Sequence, residues 1–190
     1  EYHVLLKEAK NKGADFIKIM TTGLLDFNNH GQITGTPLDR KEVREMVHIA
    51  HEEGMAVMSH TNGIYGVQAA VEAGVDSVEH GNYIDPETIR ELADSDSVWV
   101  PTLVTIRNLR GCGRYKESVL DPIIELAAKN LRLAYKYRAK VALGSRELTS
   151  TVSGTIIGHT ANTVTLQTGD GATITCFTEG AKDTSTSNME

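Results

Sequence analysis

A chain of 190 residues, 40% of them apolar, is long enough to bury a sizeable core. Its net charge of −6 is spread thinly and no basic run occurs, which argues against nucleic acid or an anionic membrane as a partner. No apolar stretch of about 18 residues offers a membrane span and no basic start leads into an apolar run as in a signal peptide, so a soluble, cytoplasmic protein is the expectation.

In chain order, residues 1 to 11 read as the end of a helix with Val4, Leu5 and Ala9 on one face and Gly13 as its stop. The missing initiator Met at this start reads as a fragment. A β-favouring run from Ala14 to Met20 follows, carrying Lys18. Leu24 to Gly35 is then an Asn- and Gly-rich loop, long for a βα connection and able to cover a site. Thr36-Pro37-Leu38-Asp39 reads as a helix start, with Thr36 as N-cap and proline at the first helical position. Val43, Met46, Val47 and Ala50 form its apolar stripe, and Gly54 ends it.

A shorter period begins there. A strand from Met55 to Ser59 precedes a helix with Val67, Ala70 and Val71, stopped at Gly74; a strand from Asp76 to Glu79 precedes the cap Asp85-Pro86 and a helix with Ile89 and Leu92. Val98 to Val100 is the next strand. After the Gly-rich Arg110 to Arg114, Asp121-Pro122 sits near the start of a long helix with Ile124, Ala127, Leu131 and Ala134 on one face, leading into Lys140 to Gly144. Strands starting near 15, 55, 76, 97 and 140 with helices between them predict parallel βα units, buried on both faces. The fold class is α/β, either an open doubly wound sheet or part of an eight-stranded barrel; Lys18, His60 and His80 at the C-terminal ends of different strands favour a partial (β/α)8 barrel of about five strands, since a complete one takes about 250 residues.

Past residue 147 the composition changes. From Leu148 onward 12 of 43 residues are threonine, Lys182 is the one basic residue, and the helical period vanishes. Thr151 to Ile157, Thr163 to Gln167 and Ala172 to Phe177 alternate apolar and polar residues, which predicts a small antiparallel meander with Gly169-Asp170-Gly171 as a turn. The expected organisation is a barrel segment over 1–147, a Thr-rich meander over 148–181 and a frayed tail over 182–190. Cys112 and Cys176 are far apart and form no C-x-x-C unit, so a reducing cytoplasm is the default.

The chemistry concentrates at strand ends. Val57-Met58-Ser59-His60-Thr61-Asn62-Gly63 and Ser77-Val78-Glu79-His80-Gly81-Asn82 each end an apolar run on a histidine with a glycine close behind, and the run bearing Lys18 has the same shape. These are the positions from which a barrel strand presents a side chain at its C-terminal mouth. Each residue alone also fits a structural role; His60 and His80 in matching contexts one βα unit apart outweigh it. His48 and His51 lie beside Glu52 and Glu53 off the apolar stripe and read as a solvated helix face, and Gly111-Cys112-Gly113 reads as a turn. His30, in the long loop, and Asn82 and Tyr83, just past His80, are candidates to line a pocket and contact substrate.

Taken together, Gly13 to Gly23 with Lys18, Ser59-His60-Thr61-Asn62-Gly63, Gly74 to Gly81 with His80, Val100-Pro101-Thr102-Leu103 and Lys140 to Ser145 resemble the amidohydrolase superfamily. The likeness is nearest to its imidazolonepropionase-like and Xaa-Pro or Xaa-Arg dipeptidase-like branch, and it runs over residues 1 to 145 and stops there. The resemblance implies a (β/α)8 barrel with two divalent metals, usually zinc, and hydrolysis of a C–N bond in an amide or dipeptide by metal-activated water. It implies that Lys18 is carboxylated to a carbamate bridging the metals and that His60 and His80 are metal ligands. Neutral imidazole suits zinc, whereas an ammonium does not, so a lysine in such a site must become an anion.

Two departures limit the likeness. The family's His-x-His pair from the first strand is absent, and its strand-eight aspartate, a metal ligand and proton shuttle, gives way to Arg146 in Gly144-Ser145-Arg146. Arginine cannot accept a proton and sets a fixed positive charge beside the metals. The catalytic residue therefore stays unassigned and one weakly held metal or none is expected. Two functions follow: a metal-dependent amidohydrolase acting on a small amide or dipeptide, or an inactive, truncated or rearranged remnant serving as a scaffold or interaction module, with self-association through an exposed barrel edge.

Overall fold

The computed structural model describes residues 2–144 and the strands β5 (Gly154–His159), β6 (Thr163–Thr168) and β7 (Thr173–Phe177). The chain divides into two units, 1–151 and 152–190.

In the first unit, α1 (Tyr2–Asn11), β1 (Phe16–Met20), α2 (Arg40–Glu52), β2 (Ala56–Thr61), α3 (Gly63–Ala73), β3 (Ser77–His80), α4 (Pro86–Asp94), β4 (Val98–Val100), α5 (Leu103–Arg107) and α6 (Glu117–Tyr137) follow in order. The strands form one parallel sheet in the sequential order β1-β2-β3-β4. That is the expected run of βα units. The fifth strand is reduced to one parallel bridge, Trp99 to Val141, with Trp99 and Ala142 amides completing the pairing.

Strand alternation sorts the two faces. Ile19, Val57, Val78 and Trp99 point to the helices and pack with Val43, Val47, Val67, Ile89 and Leu92, all buried. Burying each such aliphatic side chain contributes about 1.5–3 kcal/mol. The register then sets Lys18 beside Met58, Met20 beside His60, His60 beside Glu79, and Glu79 beside Val100 on the opposite face. On β1 that face is open, with Phe16 and Met20 each about half exposed. In a closed barrel it is the interior.

Several local expectations shift. The buried residue of α1 is Leu6, while Val4 and Leu5 are about 60% exposed. His3, Leu6, Lys7 and Lys10 share a helix face, and the three basic groups all reach Glu53 at the end of α2, so charge pairing chooses the docking face. Helix α2 starts at Arg40 with Asp39, not Thr36, as N-cap: its carboxylate accepts from the Lys41 and Glu42 amides while Glu42 reaches back to the Asp39 amide, a complete capping box. In α3 and α4 the expected ends hold: Gly74 caps α3 in the left-handed region, and Asp85 caps α4 ahead of Pro86.

Pro122 does not open α6 but sits inside it, five residues after Glu117. Val119, Leu120 and Ile123 are buried in a second apolar cluster with Leu25 and Ile106, and this packing holds the turn ahead of the proline despite the missing amide. His51 also departs from a purely solvated role: its Nε2 lies 2.9 Å from Asp76 Oδ2, which accepts the Val57 amide at the start of β2.

In the second unit β5, β6 and β7 form an antiparallel sheet in that order, with a register shift between Ile156 and Gly158. This is the expected meander; of its first stretch, residues 151–153 lie outside the described residues. The Gly169–Gly171 turn, Arg146 and the stretch 182–190 lie outside the described residues. No helix among the described residues is long and apolar enough to cross a membrane.

Candidate functional site

His60 ends up at the mouth because β2 carries it to its C-terminal edge on the open face, where the ring is 6% exposed. Its Nε2 lies 3.2 Å from the Gly23 carbonyl; a carbonyl only accepts, so Nε2 carries the proton and Nδ1 the lone pair of the neutral ring. Burial pushes this imidazole below the ordinary histidine value; the Gly23 bond opposes that and the charge of Lys18 adds to it.

His80 requires a different device. Its register partner is Thr61, a helix-facing residue, so plain alternation would turn His80 into the helical layer. Its backbone instead takes φ +72°, and the ring comes to rest against His60 with centroids 4.6 Å apart and planes at 67°. A non-glycine residue at positive φ is uncommon and persists where the surroundings over-determine it. Here they do: the Trp99 indole donates to the His80 carbonyl at 3.0 Å, and the Gly81 amide donates to the Thr61 carbonyl at 3.0 Å. The ring itself is held at Nδ1, 2.6 Å from Thr102 Oγ1.

Lys18 lies on the same open face, exposed, close enough for its charge to act on both His60 and Glu79. Glu79 is 6% exposed, with its Oε1 accepting from Ser77 Oγ at 2.8 Å. Burial pushes its carboxyl above the usual carboxylate range, and the Ser77 bond and Lys18 pull it partly back. The structure thus brings Lys18, His60 and His80 together and adds Glu79.

The other sequence candidates make contacts of their own. Asn82 is buried, and its amide nitrogens, main-chain and side-chain, both donate to Asn62 Oδ1. Tyr83 takes φ +59° and its hydroxyl accepts the Gly31 amide at 2.9 Å, while its ring meets His30 edge-on at 5.4 Å. Between them these contacts pin the long loop. Its arms pair through Leu25 and Ile33, and Leu25, Phe27 and Ile33 pack into the cluster with Ile106 and Leu120. Gly23 is required at its root, because a Cβ there would stand 1.6 Å from the Thr34 carbonyl oxygen.

Sequence reasoning missed Glu79, Thr102 and the Gly23 carbonyl. The parity of β3 was the available signal for Glu79, two residues after Ser77 on one face. Nothing in the sequence signals the left-handed backbone at Thr102, φ +45°, or at His80.

Two adjacent imidazoles, each with one ring nitrogen engaged by a protein oxygen, have the outer-shell arrangement of metal-binding histidines. His60 Nδ1 and His80 Nε2 are the nitrogens that could serve a divalent ion here. This pair is short of a four-ligand shell, and among the described residues no group of three His, Cys, Asp or Glu gathers in metal-holding geometry.

The model of the Amidohydrolase family matches residues 3–176, continuing past Ser145 where the motif likeness stops. Ochratoxinase of Aspergillus niger is 29% identical over 143 residues, which is 70% of this chain and 29% of that protein. A solved Xaa-Pro dipeptidase with bound methionine in the active site superposes with a TM-score of 0.61 at 28% identity, over 75% of this chain and 37% of that one. The solved A. niger ochratoxinase superposes with a TM-score of 0.66 at 24% identity over 76% and 34%, a likeness of fold. This chain thus spans about a third of the length of the relatives it matches. The parallel four-stranded sheet, the site at its C-terminal edge and a match over most of the sequence make the chain a member of the amidohydrolase family, bearing part of a (β/α)8 barrel.

Proposed function

We propose that this chain carries the central part of a divalent-metal site for hydrolysis of a C–N bond, in a small amide or a dipeptide. The observation that carries the reading is the His60–His80 pair, rings 4.6 Å apart at the C-terminal ends of neighbouring strands. A bound divalent ion, zinc by donor type, supplies Lewis acidity toward an amide carbonyl and lowers the pKa of water. His60 and His80 hold the ion. Lys18 joins them only as its carbamate, formed from the neutral amine and CO2 with loss of a proton, because an ammonium repels a cation. Glu79, buried beside His60 in the register, adds a carboxyl to the same face. His30 and Tyr83, paired at the tip of the loop, form a wall facing the substrate.

The 190 residues contain no His-x-His pair, and Arg146 stands where the family has an aspartate. The isolated chain is therefore expected to take up one divalent ion weakly and to hydrolyse dipeptides negligibly. Competition between the purified chain and a chromogenic chelator measures the first, with His60→Ala and His80→Ala as variants. Loss of zinc binding in both supports the site; binding that survives both substitutions removes it.

The half-exposed Phe16 and Met20 on the open sheet face favour a second reading, an association surface on which a further copy of the chain packs.

A further inference from the structure

We propose that Thr102 is a positioning residue for His80, its Oγ1 accepting the Nδ1–H so that the ring is fixed beside His60 with Nε2 toward the metal. The proposal rests on reading His60 and His80 as ligands, and four observations support it.

The first is conformational. Thr102 sits at φ +45°, ψ +41°, a left-handed backbone that glycine adopts without steric cost and a β-branched residue does not. A side chain is present where the backbone alone would have none. The second concerns what that side chain is used for. Thr102 precedes the first turn of α5, where a threonine hydroxyl ordinarily caps a helix amide, yet it makes no such bond. Its oxygen goes to His80, 2.6 Å away.

The third is steric. A Cβ built on Gly144 would lie 3.2 Å from the Thr102 methyl and 2.4 Å from Val100 Cγ1, so the methyl is packed against the Gly144 backbone. With the methyl seated there, the rotamer that aims Oγ1 at the imidazole is fixed. The fourth is the clustering of strain. Among the described residues four non-glycines have positive φ: Arg138 caps α6, while His80, Tyr83 and Thr102 lie within the loops and strand ends at this one mouth. Strain of this kind collects where a side chain must be held in one place.

The chemistry gives the contact its direction. A neutral imidazole has one N–H and one lone pair, and a metal takes the lone pair. For Nε2 to ligate, Nδ1 must keep the proton, with Thr102 Oγ1 as its acceptor; the same hydroxyl can donate to a bare Nδ1, and the ring spectra decide between the two. Without the oxygen the Nε2–H tautomer gains, and the ring is wrongly protonated for the ion.

The test uses the full 190-residue chain, ¹⁵N-labelled and metal-free at about pH 8, with long-range ¹H–¹⁵N correlation spectra of the histidine rings and zinc affinity by chelator competition. His80 is expected as the Nδ1–H tautomer in the wild type and in Thr102→Ser. Thr102→Val and Thr102→Gly are expected to move it toward Nε2–H and to weaken zinc binding about 10- to 100-fold, with serine restoring most of it. The glycine variant relieves the left-handed strain, so its melting temperature should not fall, which separates a folding defect from the loss of the hydroxyl. An Nε2–H ring in the wild type, or a glycine variant with unchanged tautomer and zinc affinity, overturns the proposal. If the wild type takes up no zinc, the ligand reading fails, and the tautomer in the metal-free spectra still decides Thr102: Nδ1–H lost in the glycine variant upholds its role, and no change refutes it.

Discussion

Replacing Gly81 with alanine tests whether the backbone under His80 is held as described. Gly81 is at φ +59°, and an added Cβ would stand 2.6 Å from Trp99 Nε1. The left-handed backbone costs an L-residue about 1 kcal/mol. Trp99 is 1% exposed and cannot retreat without giving up the 3.0 Å bond from its indole to the His80 carbonyl. Breaking that bond leaves a buried donor and acceptor unpaired, about 1–3 kcal/mol. The expected loss is therefore about 2–4 kcal/mol. Gly74→Ala is the control, because it shares the positive φ (+81°) at the end of α3 but its Cβ would meet nothing within 4 Å. It should lose about 1 kcal/mol. Urea denaturation followed by fluorescence of Trp99, the one tryptophan in the chain, reads both. Equal losses in the two variants would refute the claim that Trp99 and Gly81 together fix His80.

Stability should also depend on pH in a defined way. His60, depressed by burial, contributes stability that is present above its unfolded value of about 6.5 and lost as pH falls through its lower folded value. Glu79, raised by burial, contributes stability that is full below its unfolded value of about 4.3 and lost as pH rises through its higher folded value. Glu79→Gln should therefore remove the fall on the rising side of a pH series of urea midpoints, and an unchanged slope there would count against its burial. Asp39→Ala, which opens the capping box of α2, should cost about 1 kcal/mol by the same denaturation assay. Tyr83→Phe should leave the global midpoint nearly unchanged while hydrogen exchange at Gly31, whose amide the hydroxyl accepts, speeds up several-fold. If the open sheet face joins copies of the chain, sedimentation velocity should show concentration-dependent association that Met20→Lys reduces.

The βα order was legible because each of the four strands is an apolar run bounded by a glycine or a cap, a signal local to the chain. So were Lys18, His60 and His80, which strand ends point out without knowledge of the neighbours. The helix start at Asp39 was misread because Thr36-Pro37 satisfies the same local rules, and only the Glu42 side chain reaching back separates the two. The exposed Val4 and Leu5 escaped the pattern because Glu53, some fifty residues away, fixes how α1 docks. Least legible was the side on which His80 projects. Period-two alternation gives the wrong face, and the φ that corrects it depends on Trp99 and Thr61, residues of two neighbouring strands.

The second apolar cluster has a consequence for the order of assembly during synthesis. The long loop is anchored by Leu25, Phe27 and Ile33 in a cluster with Ile106, Leu120 and Ile123, about 73–98 residues later in the chain. At a synthesis rate of about 5–20 residues per second these partners emerge roughly 5–20 s after the loop itself. Strands β1 to β3, whose pairings are all with the next βα unit, can be in register before then. On the ribosome His60 is thus in register before the long loop is fastened, while His80 takes its place only once Trp99 and Thr102 emerge, directly ahead of α5.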